Sequence, residues 1–343
     1  MRAVLLQFLV ASFGCASRAI LAGSILAGCA PEQLEPAVAG REDLASNEPE
    51  DTLSRTGLYQ DIASGRLMPG VLEYAPRFPF WSDGAAMRRF VWLPPGAQID
   101  VRNMDHWSFP PGTRFWKTFL VRGVVVETDL IQRLGPGKTD DDFRFAAYAW
   151  RDNGSDADLA VMGVKNARGS GRDIPPVGAC FACHGKLEER VIGFSALQLS
   201  HPGAGVTLGL LAGRGLLTSD VPAAGFSVPG DSTAVAALGY LHANCGHCHD
   251  GATSRPMHMR LTVGARTVEE TDAYRTGVGV ESEFKVPSAQ TRIVPGHPEA
   301  STVHYRMSVR RRGHQMPNWG TCVVDEQGLG AVDAWIATLA PER

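Results

Sequence analysis

The sequence lacks the usual signatures of hydrolytic and phosphate-handling enzymes. No nucleophile elbow, phosphate-cradling glycine loop or HExxH occurs in its 343 residues. Charge is sparse and nearly balanced: 20% of residues are charged and the formal net charge is −3, which gives no electrostatic reason to bind nucleic acid. No apolar run reaches the roughly 20 residues of a membrane-spanning helix. Seven cysteines are too few for a disulfide scaffold. A hydrophobic content of 44% excludes a disordered chain, and the length favours more than one domain.

Residues 1–28 are apolar, with Arg2, Arg18 and no acid, and read as an export signal. They end in Leu26-Ala-Gly-Cys29, which resembles a bacterial lipobox. That resemblance implies acylation of Cys29 and a lipid anchor to the membrane, on the periplasmic or outer-surface side of the cell envelope. Residues 29–55 are acidic and lack aromatics, which predicts a disordered tether.

A β-rich domain is expected over 56–170, after a short helix near Gly57–Gly70. Apolar runs of strand length recur at Arg89–Leu93, Thr113–Val121, Val124–Ile131 and Phe143–Trp150, separated by turn signals such as Pro110-Pro-Gly112 and Asp152-Asn-Gly154. Period-two alternation suggests an antiparallel sandwich or barrel-like domain. Trp81, Trp92, Trp107, Trp116 and Trp150 fall here and favour core packing over a ligand platform. Asp105-His106 could form an acid–base pair, but adjacent turn residues seldom face each other.

The chemistry lies in two CxxCH motifs, Cys180-Phe-Ala-Cys183-His184 and Cys245-Gly-His-Cys248-His249. A CxxC turn spaces two thiols to meet the two vinyl groups of one porphyrin, and the next histidine can bind its iron. Two covalently attached haem c groups are therefore expected. A four-cysteine zinc site normally needs its pairs about 15–20 residues apart, far closer than Cys183 and Cys245, and explains neither histidine.

Asp231-Ser232 can cap a helix that runs into Cys245, with Val235, Leu238 and Leu241 on one face. Met316-Pro317 follows a long loop, and Leu329, Val332, Trp335, Ile336 and Leu339 mark an amphipathic final helix. This order, over about 228–341, resembles a class I cytochrome c. The resemblance implies an all-α haem domain over 228–343, His249 as proximal iron ligand and Met316 as distal ligand, with His314 the nearest competitor. His/Met ligation suits electron transfer.

The segment 171–227 carrying the first motif departs from that pattern, with no Met-Pro after His184. His184 is the expected proximal ligand. His201 is the nearest downstream candidate for its sixth ligand, with Met162, His106 and His242 as rivals. Arg306, Arg310, Arg311 and Arg312 suit haem propionates, an acidic partner or solvent. Pro256-Met257-His258-Met259 reads as packing or haem-edge contacts, Ser301 as a helix cap and Cys322 as an unpaired buried thiol.

The whole chain also resembles uncharacterised bacterial secreted proteins with a β-rich region, a CxxCH and a C-terminal cytochrome c domain bearing Pro295-Gly-His-Pro-Glu-Ala-Ser301 and Met316-Pro317. The expected fold class is thus α+β and multidomain. The expected function is electron transfer with redox partner proteins of the cell envelope. Two alternatives stay open. One is a haem enzyme of peroxidase type with an open site at the His184 haem; the other is a docking module with accessory haem.

Overall fold

The computed structural model describes residues 48–340. The expected signal over 1–28, the lipidation at Cys29 and the tether up to residue 47 lie outside the described residues. Ten strands and seven helices follow in the described part: β1 (Tyr59–Asp61), β2 (Arg66–Leu67), β3 (Leu72–Tyr74), β4 (Ala86–Trp92), β5 (Arg114–Val121), β6 (Val124–Arg133), β7 (Phe143–Trp150), β8 (Ala157–Leu159), α1 (Phe181–His184), α2 (Ala196–Leu199), α3 (Leu208–Gly213), α4 (Ser232–Asn244), α5 (Asp272–Gly277), β9 (Glu281–Val286), β10 (Ala289–Thr291), α6 (Thr302–Ser308) and α7 (Glu326–Thr338).

Strands β3 to β8 form one antiparallel sheet in sequential order. Residues paired across antiparallel strands share a face, so the register sorts the side chains. The row Phe90–Trp116–Leu130–Ala146 lies on one face. It packs with Leu53, Leu58, Tyr59 and Tyr148. The row Val91–Phe115–Ile131–Phe145 lies on the other. Trp107, Phe109, Phe194, Leu199, Leu208 and Leu211 cover much of that face. Trp107, Trp116 and Trp150 are buried, as core packing requires. The indole N–H groups of Trp116 and Trp150 are satisfied by Thr56 and Thr128 hydroxyls, each at 3.0 Å.

The sheet corrects the expectation of a sandwich or barrel. It is a single meander with short outer strands, and the second face is covered by chain segments rather than a second sheet. The tether also ends earlier than expected. Thr52 bridges to Asp158, the Asp51 carbonyl accepts from Leu159 N–H at 2.9 Å, and Leu53 is fully buried. The short helix expected near Gly57–Gly70 is instead the β1–β2 hairpin. There Asp61 accepts from Ala63 N–H at 3.1 Å and from the Ser64 hydroxyl at 2.6 Å, and these bonds turn the chain.

The C-terminal part is not the all-α cytochrome c-type domain expected from sequence. Its helices are few, long irregular stretches connect them, and β9 pairs with β10 as an antiparallel hairpin. The polar–apolar alternation Glu281-Ser-Glu-Phe-Lys-Val286 is a strand pattern with no helical periodicity. Two expected helices do form. Asp231 caps α4 by accepting from Thr233 and Ala234 N–H. Helix α4 packs on α7, with Leu238, Leu241, Val332, Trp335 and Ile336 in the shared core. Met257 and Met259 are buried in the same core.

The close packing around α4 depends on two glycines. A Cβ on Gly328 would stand 2.0 Å from the Tyr240 ring, so that ring lies directly on the α7 backbone. A Cβ on Gly239 would stand 2.2 Å from the Phe78 ring on another side of α4. Phe78 belongs to residues 76–84, a strap leaving the sheet between β3 and β4. The strap is fixed by hydrogen bonds from Arg77 N–H to Gln198 O, Phe78 N–H to Gln198 Oε1 and Trp81 N–H to Asn244 Oδ1. Asn244 also donates to Pro79 O. Asp83 then accepts from the N–H groups of Cys322 and Val323. Cys322 is disulfide-bonded, not the expected unpaired thiol. Ser301 stands at the start of α6, but its hydroxyl pins the preceding loop through Val294 N–H and His297 O.

Candidate functional site

The first motif follows a tight turn, Val177–Cys180, that runs into the single-turn helix α1. Its floor is the second sheet face: the Phe145 ring meets Phe181 at 4.9 Å and His184 at 5.6 Å. The second motif caps the C-terminal end of α4, where Cys245 and Gly246 N–H both bond back to Leu241 O.

The two motif histidines have the same environment. His184 Nδ1 lies 2.6 Å from Arg190 O, and His249 Nδ1 lies 2.7 Å from Met257 O. A carbonyl can only accept, so Nδ1 carries the proton in each ring and Nε2 keeps its lone pair. Burial pulls His184 down to about 3 and also lowers His249, so both rings are neutral at neutral pH. A neutral imidazole oriented through Nδ1 is the form that binds iron through Nε2.

Arg190 builds the first of these carbonyl positions. It sits in the left-handed region at φ 57°. Its guanidinium donates to Gly185 O at 2.7 Å, Leu187 O at 2.5 Å and Asp140 Oδ1 at 2.9 Å. These bonds hold an unfavourable backbone conformation and thereby aim the Arg190 carbonyl at His184.

The four motif cysteines are free thiols. Burial pushes Cys180 and Cys245 up to about 12, so both stay protonated. Cys183 and Cys248 meet across the motifs. Their interaction raises Cys183 and lowers Cys248, which makes Cys248 the more acidic partner. Among the described residues no group of three or more His, Cys, Asp or Glu side chains is arranged to hold a metal ion. This does not bear on haem, whose iron takes at most two protein ligands.

These residues fit covalent haem. Cys180, Cys183 and Cys245 keep the protonated thiol that adds to a vinyl group, and a neutral histidine with a free Nε2 follows each pair.

The candidate sixth ligands of the first site are otherwise engaged. His201 uses both ring nitrogens on the main chain, Nε2 to Ala75 O at 2.8 Å and Nδ1 from Gly203 N–H at 3.0 Å. His242 Nδ1 accepts from Leu261 N–H at 3.1 Å, which places its proton on Nε2. His106 Nδ1 pairs with Glu189 at 3.2 Å. Met162 is 86% exposed, with nothing packed over it. Met316 is half-buried, and its loop is tied by Met316 N–H to Arg306 O and by His314 Nδ1 to the Tyr305 hydroxyl at 2.9 Å.

Asp105 and His106 do not form a pair. Asp105 accepts from Val263 N–H at 2.9 Å, while His106 turns to Glu189. Glu189 also binds Arg260 at 2.7 Å. Burial pushes the Glu189 carboxyl up, but the bonds to His106 and Arg260 outweigh it and hold the carboxyl below its usual range. Beside this pair is a cavity of about 30 Å³ lined by His242, His247 and Arg260. His247 Nδ1 and Arg260 Nε are buried there without a partner. Room for about one water and two unpaired polar atoms mark a site for a small polar group. A larger hollow of about 710 Å³ runs along β8 and Met162 and touches neither motif.

Arg306 and Arg310 are bonded locally, Arg306 to His314 O and over the Phe284 ring, Arg310 to Met307, Val309 and Val323 carbonyls. Sequence reasoning missed Arg190, Asn244, His247 and Arg260. Only His247 carried a local signal, as a histidine inside the second motif. Comparisons with protein-family models, with curated proteins and with solved structures find no match.

Proposed function

We propose that the chain is an exported dihaem c-type cytochrome that transfers electrons in the cell envelope, lipid-anchored through Cys29. The observation that carries this reading is the shared orientation of His184 and His249, each with Nδ1 on a main-chain carbonyl and Nε2 left to bind iron. Bound haem would supply one-electron chemistry at each site. Cys180 and Cys183 would hold one haem, Cys245 and Cys248 the other, with His184 and His249 as proximal ligands. Met316 is the proposed distal ligand at the second site, on the motif order in the sequence. The sheet and the strap hold both motifs in place. Redox proteins of the envelope are the proposed partners.

A second reading has specific support. At the first site His201, His242 and His106 are all bound elsewhere. That favours an open iron position at the His184 haem and chemistry of the peroxidase type.

The test is haem content and spin state in a host that attaches haem c. Pyridine haemochrome should give two haems per chain, falling to one in Cys180→Ala/Cys183→Ala and in Cys245→Ala/Cys248→Ala. One haem or none in the unaltered chain overturns the proposal. Two low-spin haems support the carrier; one high-spin haem, lost with the first motif, supports the enzyme.

A further inference from the structure

The two motifs, separated by 60 residues of sequence, touch in space. Cys248 Sγ lies 3.9 Å from the carbonyl of Ala182, inside the first motif. The next residue, Cys183, is thereby brought beside Cys248. The contact therefore pairs the second cysteine of one motif with the second cysteine of the other.

From this contact we propose that the two haems meet edge to edge across Cys183 and Cys248 and exchange electrons directly, without a protein relay. This inference rests on the dihaem reading above. Its chemistry is the thioether linkage. Each sulfur bonds the vinyl carbon next to the ring, the thiol proton goes to the terminal carbon, and no oxidant is needed. One carbon then stands between each sulfur and its macrocycle. Because Cys248 Sγ lies against the carbonyl of the residue just before Cys183, the two thioether attachments, and the macrocycle edges they would carry, lie beside each other. Charge added to one iron is then felt at the other through a largely buried medium, so the two reductions are linked.

The experiment uses the mature holoprotein and the two single-haem variants. In the Soret region the circular dichroism of the dihaem protein should differ from the sum of the two single-haem spectra, because neighbouring transition dipoles couple. The non-additive part should vanish in both variants. A second measurement needs no variant: electron paramagnetic resonance of the fully oxidised protein should integrate to less than the signal of two independent ferric haems, because the spins interact. Two haems per chain with additive dichroism and a full two-haem signal overturn the inference while leaving the dihaem reading standing. A haem count other than two overturns both, and the pyridine haemochrome assay identifies that case.

Discussion

Gly328 and Gly330 stand two residues apart in α7, and alanine should act on them with opposite sign. Glycine in a helix interior is worse than alanine by about 1 kcal/mol, so alanine gains where space allows. At Gly330 nothing lies within 4 Å of an added Cβ, and Gly330→Ala should raise stability by about 0.5–1 kcal/mol. At Gly328 the added Cβ would stand 2.0 Å and 2.3 Å from Tyr240 ring atoms and 2.7 Å from Asp325 Oδ2. The ring cannot swing away easily, since it lies between α7 and the core shared with α4. Overpacking of this kind costs about 1–3 kcal/mol. The helical gain is also smaller at Gly328, which lies in the first turn and donates to its Asp325 cap. The clash should win, for a net loss of about 1–2 kcal/mol. Urea unfolding followed by tryptophan fluorescence reads both, since Trp335 sits in this core. Gly328→Ala should lower the midpoint and Gly330→Ala should raise it. A Gly328→Ala variant as stable as Gly330→Ala would refute the close ring-on-backbone contact.

Other consequences follow from buried polar groups. Folding holds His184 and His242 at about 3, below the unfolded value near 6.5, so their effect on stability is nil above pH 6.5 and destabilising as pH falls through that window. In the haem-free chain each should cost about 2 kcal/mol by pH 5, and a flat urea midpoint between pH 7 and pH 5 would contradict it. Asn244→Ala leaves Trp81 N–H and Pro79 O without partners and should cost about 2–3 kcal/mol, with faster proteolysis within residues 76–84. Unchanged proteolysis there would argue against the strap. Glu189→Leu strands the buried Arg260 cation and should cost about 3–5 kcal/mol, while Glu189→Leu with Arg260→Met should recover most of it. A double variant no more stable than the single one would show that the ion pair is not the source.

Sequence alone shows what is local. The β4–β7 runs announce themselves by alternation, and their turns by Pro-Gly and Asn-Gly pairs. Helices α4 and α7 are visible in the spacing of Leu238, Leu241, Val332 and Ile336, and the thiols and histidines in two five-residue motifs. Contacts between distant segments leave no periodic trace. Nothing in the sequence around Cys183 points to Cys248, and Arg190 reads as an ordinary loop cation until its φ and its carbonyl are known. The all-α expectation for the C-terminal part came from motif order, and motif order constrains ligands without fixing the chain between them. The β9–β10 hairpin occupies such an interval. The expected unpaired Cys322 failed similarly, because pairing depends on where the partner lies in space.

The strap over α4 changes what counts as a separable part of this protein. Residues 76–84 come from the sheet, yet they cover the helix that delivers the second motif and satisfy the side chain of Asn244 just before Cys245. A gene cut at residue 228 would yield a fragment with Gly239 bare and the Asn244 side-chain oxygen unpaired. The second motif is therefore not a portable cassette: its support is inherited from the opposite end of the chain, and recombination that exchanges only the C-terminal third must bring along a compatible loop between β3 and β4.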